Sequence, residues 1–434
     1  MSSTDARTGP GTPADAPADA RDDQPTDAPA RHTEREVSPP PQVGIVVGGL
    51  VAAVALGGLV LVRSGQVPAV LFAIGVAFGL VLFHSRFGFT SAWRQLVAVR
   101  QPKALRAHVL MLAVAATLFA PILAGGLAFG DAVPTPSLSP LGFGLVVGSF
   151  LFGVGMQLGG SCASGTLFAI GSGQSAILLT LTGFVVGATV GALHFPWWTD
   201  ELPSFAPVSF ADTSLGYLGG WLITMALLGL VLATTYALTR GRRVPDLDQP
   251  PAARGWGRAL RGSWPLWVGA LLLAGLNALT LAVSGGAWGI TFAFSLWGSK
   301  LLDAVGVDVT SWTYWQDPGN AAKYDLGVLA EKTSVMDLGI IVGALVASAA
   351  AGAFVLHRRV PGRLALGAVL GGVLMGYGAR IAFGCNIGAY FGGIASFSLH
   401  GWVWGVLAIA GTFVGLALRP LFGLANPKPT DSVC

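Results

Sequence analysis

Apolar runs of about 18 residues or more recur along this chain, and they constrain its fold more than any other feature. About ten can be placed, with approximate cores at 43–63, 67–84, 107–128, 141–158, 175–194, 216–238, 265–284, 338–357, 364–381 and 401–418. A run of this length crosses a bilayer as a helix, which satisfies its own backbone hydrogen bonds where no water can. Charged residues make up only 11% of the chain, against about 25% in a soluble domain. The expected fold is an all-α polytopic membrane protein. The net charge of +4 sits in a few loops and is no sign of nucleic-acid binding.

Those loops orient the chain. The stretch 85–106 carries Arg86, Arg94, Arg100, Lys103 and Arg106, and "RGRRVPDLDQPPAARGWGRALRG" carries six arginines. Arg358, Arg359 and Arg363 follow, and a C-terminal tail begins at Arg419. With ten spans all of these fall on one side, which the positive-inside bias makes cytoplasmic, with both termini inside. Loops 195–215 and 285–336 are then external, although Lys300, Lys323 and Lys332 make the second a weak exception. Residues 1–41 are Ala-, Pro-, Asp- and Thr-rich and read as a disordered spacer without the apolar core of a signal peptide. The chain has three cysteines and no C-x-x-C, and its six histidines lack ligand spacing. No metal site, cofactor or disulfide framework is expected.

Two of the three cysteines share one motif. "GVGMQLGGSCASG" (Gly153 to Gly165) and "GYGARIAFGCNIG" (Gly376 to Gly388) both read G-x-G-x6-C-x2-G, and Cys385 follows Cys162 by the same 223 residues that separate the flanking glycines. A second pair, "GFTSAW" from Gly88 and "GITFAF" from Gly289, reads G-x-T-x-A-aromatic. The order is GxTxA, cysteine motif, GxTxA, cysteine motif. Two like halves of about five spans each must lie upside down to one another, the inverted-repeat arrangement of many transporters. The expected division is a tail (1–41), a first repeat (42–239), a basic loop (240–262), a second repeat (263–420) and a C-terminal tail (421–434).

Each cysteine motif is followed by a stretch too short to cross, "ASGTLFAIGSG" and "NIGAYFGGIASFS". These read as re-entrant helices whose N-termini begin near the membrane centre, one pair of motifs from each face. Free N–H groups there attract anions. Four such ends at about +0.5 charge each approach about +2 without a lysine. Packing of glycine-rich helices is the plain alternative for the glycines. A lone buried cysteine is commonly a small hydrophobe, but two at matched positions point to a shared role. A thiol is a weak donor and a soft acceptor, suited to a sulfur-bearing ligand. The candidate path residues are Cys162, Cys385, Gly160, Ser161, Ser164, Gly165, Gln157, Gly384, Asn386, Gly388, Arg380, Gly88, Thr90, Gly289 and Thr291. The hydroxyls and amides among them could equally make local backbone bonds. Arg380 is either an anion attractor or an interfacial arginine, and Arg86 and Lys300 read as interface charges. Acidic residues fall almost wholly outside the spans, so no carboxylate proton relay is expected.

With "GGSCASG", "ARIAFGCNIGAYFGGIAS" and "GITFAFSLWGSK" after or between apolar helices, the chain resembles the YeeE/YedE family over roughly residues 43–420. The resemblance implies an inverted-repeat bundle with four short re-entrant helices meeting at a narrow central path. It implies thiosulfate uptake, with Cys162 and Cys385 passing the ion by S–H···S hydrogen bonds, and small cytoplasmic sulfur-carrier proteins as partners. Family members commonly have a third path cysteine near the first GxTxA segment; "HSRFGFTSAW" has none. The function expected is import of a small sulfur-containing anion, thiosulfate first, across the cell inner membrane, without enzymatic activity. The alternatives are another anion (a selenium compound or sulfite), a membrane thiol oxidoreductase cycling the two cysteines, and a channel or scaffold with inert thiols.

Overall fold

Apolar runs with charges held at their ends form helices throughout. The computed structural model describes residues 39–241, 255–356 and 360–428. Most of the N-terminal tail, Arg358, Arg359, Cys434 and residues 242–254 of the basic loop lie outside the described residues. In chain order the helices are α1 (Val43–Ser64), α2 (Gln66–Ser85), α3 (Phe89–Val99), α4 (Lys103–Gly125), α5 (Phe143–Leu158), α6 (Ala163–Gly171), α7 (Ala176–Pro196), α8 (Gly216–Thr239) and α9 (Gly257–Arg261). They continue with α10 (Leu266–Ser284), α11 (Thr291–Ala304), α12 (Thr313–Gln316), α13 (Pro318–Leu326), α14 (Lys332–Ala350), α15 (Gly362–Ile381), a π-helix (Asn386–Gly392), α16 (Gly393–Ala395) and α17 (Leu399–Leu418). Ten of the described helices are long and apolar enough to span a membrane. A two-residue strand pair, Leu141–Gly142 with Ser204–Phe205, is the one sheet among the described residues.

Small residues set how the spans pair, because backbones can approach only where no side chain intervenes. In α2 and α14, Gly75 abuts Met336 and Gly79 abuts Ile340, while Gly339 and Gly343 abut Phe72 and Val76 in return. Contacts that advance together along both chains make this pair parallel. The pair α7 and α15 is parallel for the same reason, Gly183 meeting Val369 and Gly187 meeting Val373. So is α5 with α17, where Gly411 meets Phe150 and Gly415 meets Val154. Between α5 and α15 the order reverses: Gly148 meets Gly378 and Gly155 meets Gly371, an antiparallel crossing. Helix α1 packs on α14 and α8 packs on α4.

One span differs from its expected position. The run placed at 338–357 is α14 at Lys332–Ala350. Hydropathy discounts the charges of "EKTSVMD", but the fold satisfies most of them locally. The Glu331 carboxylate caps the helix, accepting from the Thr333 and Ser334 amides (3.0 and 2.8 Å) and from both hydroxyls (2.6 and 2.9 Å). Lys332 Nζ donates to the Gly286 and Ala287 carbonyls (2.6 and 2.9 Å) just past the end of α10. The loop 285–336 therefore contains α11 to α13 and the first turn of α14. Asp337, which the span placed at 338–357 left just outside, then lies inside a span and is fully buried.

Candidate functional site

Each of the four motifs starts a short helix directly after a long one. Gly88 is the N-cap of α3, Cys162 of α6 and Cys385 of the π-helix; α11 begins at Thr291, two residues after Gly289. No side chain caps α3, α6 or α11, so their first N–H groups keep their capacity to bind. The second cysteine segment, expected as a short helix, is a π-helix continued by one turn of α-helix.

The turns into the cysteine helices need special backbone. Gly160 has φ +79° and Gly384 φ +146°; at the latter only glycine is at ease. The position 223 residues after Gly160 is Phe383, and it too is left-handed at φ +58°. The turn geometry thus recurs even where the glycine does not, at a cost to Phe383 of about 1–2 kcal/mol.

Both thiols are free and buried, Cys162 at 1% exposure and Cys385 at 0%. Helix α6 touches the π-helix, so the two cysteines cap neighbouring short helices. Cys162 Sγ is 3.6 Å from Ser164 Oγ, and Cys385 Sγ accepts from the Ile387 amide at 3.4 Å. Ser161 instead bonds Thr166 at 2.8 Å, a local contact. Gly165 presses on Cys162 Sγ, at 3.3 Å from where a Cβ would sit, whereas nothing lies within 4 Å of such an atom at Gly388. Open space therefore adjoins the second cysteine helix.

Three further candidates are buried with polar atoms left over: Thr90 Oγ1, Gln157 Oε1, and both side-chain atoms of Asn386 have no partner. Gln157 Nε2 donates weakly to the Thr90 carbonyl at 3.4 Å, which joins the first GxTxA helix to the first cysteine motif. The second motifs are joined by Arg380. Its guanidinium donates to the Tyr314 hydroxyl and, at 3.4 Å, to the Thr291 carbonyl. It turns into the protein and sits over the Phe292 and Tyr314 rings, so a lipid-facing snorkelling role does not describe it. Burial holds the Tyr314 phenol above its usual range although the Arg380 charge opposes this, so Tyr314 stays a neutral hydroxyl. Lys300 covers the Tyr324 ring at 3.5 Å.

Sequence reasoning missed Tyr314, Glu331 and Asp337. An acidic residue two and three positions before Thr333 and Ser334, ahead of an apolar run, was a legible cap signal. Nothing in the sequence ties Tyr314 to Arg380. The reading also missed the cavity of about 830 Å³ lined by Arg86, Gly88, Lys103, Arg106, His108 and Arg258. This cavity brings residues of the stretch 85–106 together with Arg258, Ser263 and Trp264 beside the first GxTxA helix.

The sequence pattern of a family described as sulphur transport matches residues 84–414. Over 351 residues the chain is 27% identical to the thiosulfate transporter TsuA of Spirochaeta thermophila, covering 78% of this chain and 95% of that protein. It is 28% identical over 346 residues to the thiosulfate transporter TsuA of Escherichia coli, covering 78% and 91%. A shorter match, 31% over 156 residues, covers 35% of this chain and 38% of the probable transporter YedE of Escherichia coli. The family match takes in all four short helices, and the chain belongs to this sulphur transport family of membrane proteins, the YeeE/YedE family that its motifs resemble.

Proposed function

We propose that the protein imports thiosulfate through a path on which Cys162 and Cys385 are successive stations. One observation carries the reading: two buried, free thiols start short helices that touch each other. A neutral thiol donates to the terminal sulfur of thiosulfate and costs far less to bury than a charge. Uncapped helix starts supply positive potential, and Thr90, Gln157 and Asn386 supply neutral hydrogen bonds. An unmet buried polar group costs about 1–3 kcal/mol, and a passing ion relieves that cost at each station. Gly160, Gly384 and Gly388 shape the turns and the open space. Arg380, held by Tyr314, sets the potential at the second GxTxA helix. A protein with such weak, repeated contacts binds the ion enough to admit it and releases it again. This is transport and not catalysis. The test is uptake by cells lacking other sulfur importers, with thiosulfate, sulfite, sulfate and selenite as competing anions. Growth and uptake on thiosulfate are expected; preference for another anion overturns the substrate assignment.

The two halves are read as inverted repeats. What supports this is the pairing of helices. Exchanging α2 with α10, α4 with α14, α5 with α15 and α7 with α17 maps the observed neighbours onto one another, and α5 crosses α15 in the opposite sense. Helices α1 and α8 then lead one half each. The join falls before α8, with five spans on either side, where hydropathy alone suggested 42–239 and 263–420. The protein is further read as lying in the inner membrane with both termini cytoplasmic, the cavity of arginines facing the cytoplasm. There it would meet a small sulfur-carrier protein that receives the imported sulfur. Ser214, exposed in the loop before α8, tests the orientation. Ser214→Cys is expected to react with an impermeant maleimide in intact cells; reaction only after permeabilisation reverses the topology.

A further inference from the structure

We propose that Asp337 is a proton-binding site that couples thiosulfate influx to proton influx. The inference rests on the transport reading above. Asp337 is 0% exposed, and neither carboxylate oxygen has a hydrogen-bond partner. An ionised carboxylate left alone in apolar surroundings is strongly disfavoured, and ionisable groups inside a membrane bundle mark proton and ion pathways.

The charges around it are engaged elsewhere. On its own helix, Glu331 is saturated by the Thr333 and Ser334 donors and Lys332 by the Gly286 and Ala287 carbonyls. Helix α14 packs against α1, α2, α6, α9 and α11. From α11, Lys300 lies over Tyr324, whose hydroxyl donates to Asp303. From α2, His84 Nδ1 is 3.2 Å from the Gly262 carbonyl. From α9, Arg258 and Arg261 donate to the Ser263 and Pro39 carbonyls. Arg63 of α1 is exposed, and α6 offers only Cys162 at its cap. The path side is reached through α6: α14 packs on this helix, whose N-cap is Cys162, and α6 in turn touches the π-helix that follows Cys385.

That proximity is the coupling. A dianion at the start of α6 is repelled by an ionised Asp337 and tolerated by a protonated one, so proton and anion favour each other's binding, and reciprocally. The inside-negative potential opposes influx of a dianion, and a proton that travels with it offsets part of that charge. In each cycle the carboxylate takes one proton from the outer side and returns to the ionised form when the proton leaves inside. The feature recurs in the other half: His108 stands five residues after Lys103 as Asp337 stands five after Lys332, and it is likewise buried with Nδ1 unpartnered.

The test uses the purified full chain in phospholipid vesicles that enclose a pH-sensitive dye, with labelled thiosulfate outside and the potential clamped by potassium and valinomycin. Wild type is expected to acidify the lumen as thiosulfate enters, with uptake rising as external pH falls. Asp337→Asn is expected to lose acidification and pH dependence and to lower net uptake roughly tenfold, while thiosulfate–thiosulfate exchange stays within about twofold of wild type. Asp337→Glu is expected to keep acidification. Acidification by Asp337→Asn equal to wild type overturns the proposal, as does wild-type uptake without acidification. Loss of exchange in both variants assigns Asp337 a structural role and also overturns it. Absence of both uptake and exchange in wild type removes the transport reading itself.

Discussion

Cys162→Ala and Cys385→Ala are each expected to reduce thiosulfate uptake at least about tenfold while the protein remains folded in the membrane at near wild-type amounts. Truncating a thiol to a methyl group removes one buried sulfur, and the cavity left is small; the loss of stability is about 1 kcal/mol. The loss of function is larger because the sulfur is the group that meets the ion. Cys162→Ser and Cys385→Ser separate packing from chemistry: serine restores a hydrogen-bond donor of similar size but not the soft acceptor. Labelled thiosulfate uptake, normalised to protein measured by fluorescence-detected size exclusion, checks both. Wild-type uptake by both alanine variants would remove the thiols from the path and favour an inert scaffold. Cys162 Sγ meets only the Ser164 hydroxyl, whereas Cys385 Sγ also caps the π-helix by accepting from the Ile387 amide, a long bond at 3.4 Å whose loss in Cys385→Ala costs about 1 kcal/mol and which Cys385→Ser can replace.

The glycines of the same motifs are expected to divide into two behaviours. Gly153→Val or Gly376→Val removes most of the folded protein. A Cβ at Gly153 would sit 2.8 Å from the Ala408 carbonyl carbon, and one at Gly376 would sit 2.6 Å from the Ala188 amide nitrogen. Both obstacles are backbone, so a span must move, which costs about 1–3 kcal/mol or more per site. Recovery of monodisperse protein is expected to fall at least about fivefold. Gly388→Ala behaves differently, because an added methyl meets nothing within 4 Å. It leaves recovery unchanged and lowers uptake roughly tenfold by narrowing the open space three residues from Cys385. Normal transport by Gly388→Ala would place that space off the path. Normal recovery of Gly376→Val would contradict the close approach of α7 and α15.

What the sequence determined by itself was everything that follows from length and polarity. Nine spans, from 43–63 to 401–418, match helices to within a few residues, because an apolar run bounded by charge leaves a bilayer few options. The short helices after the two cysteines were legible too, since stretches of about eleven and about thirteen residues cannot cross, and the two GxTxA helices were marked by their repeated motif. The matched spacing of Cys162 and Cys385 pointed to the thiols before any geometry was known. Tertiary structure decided what depends on partners distant in the chain. The start of α14 moved to Lys332 because carbonyls at Gly286 and Ala287 receive a lysine that hydropathy must treat as a barrier. Arg380 turned inward because Tyr314, 66 residues away, accepts its guanidinium. Asp337 reads in the sequence as the edge of a loop; only the packing of five other helices against α14 makes it a buried carboxylate without a partner. Periodicity and length report the solvent around each segment, whereas the charge state and reach of a side chain are set by neighbours that only the folded chain brings together.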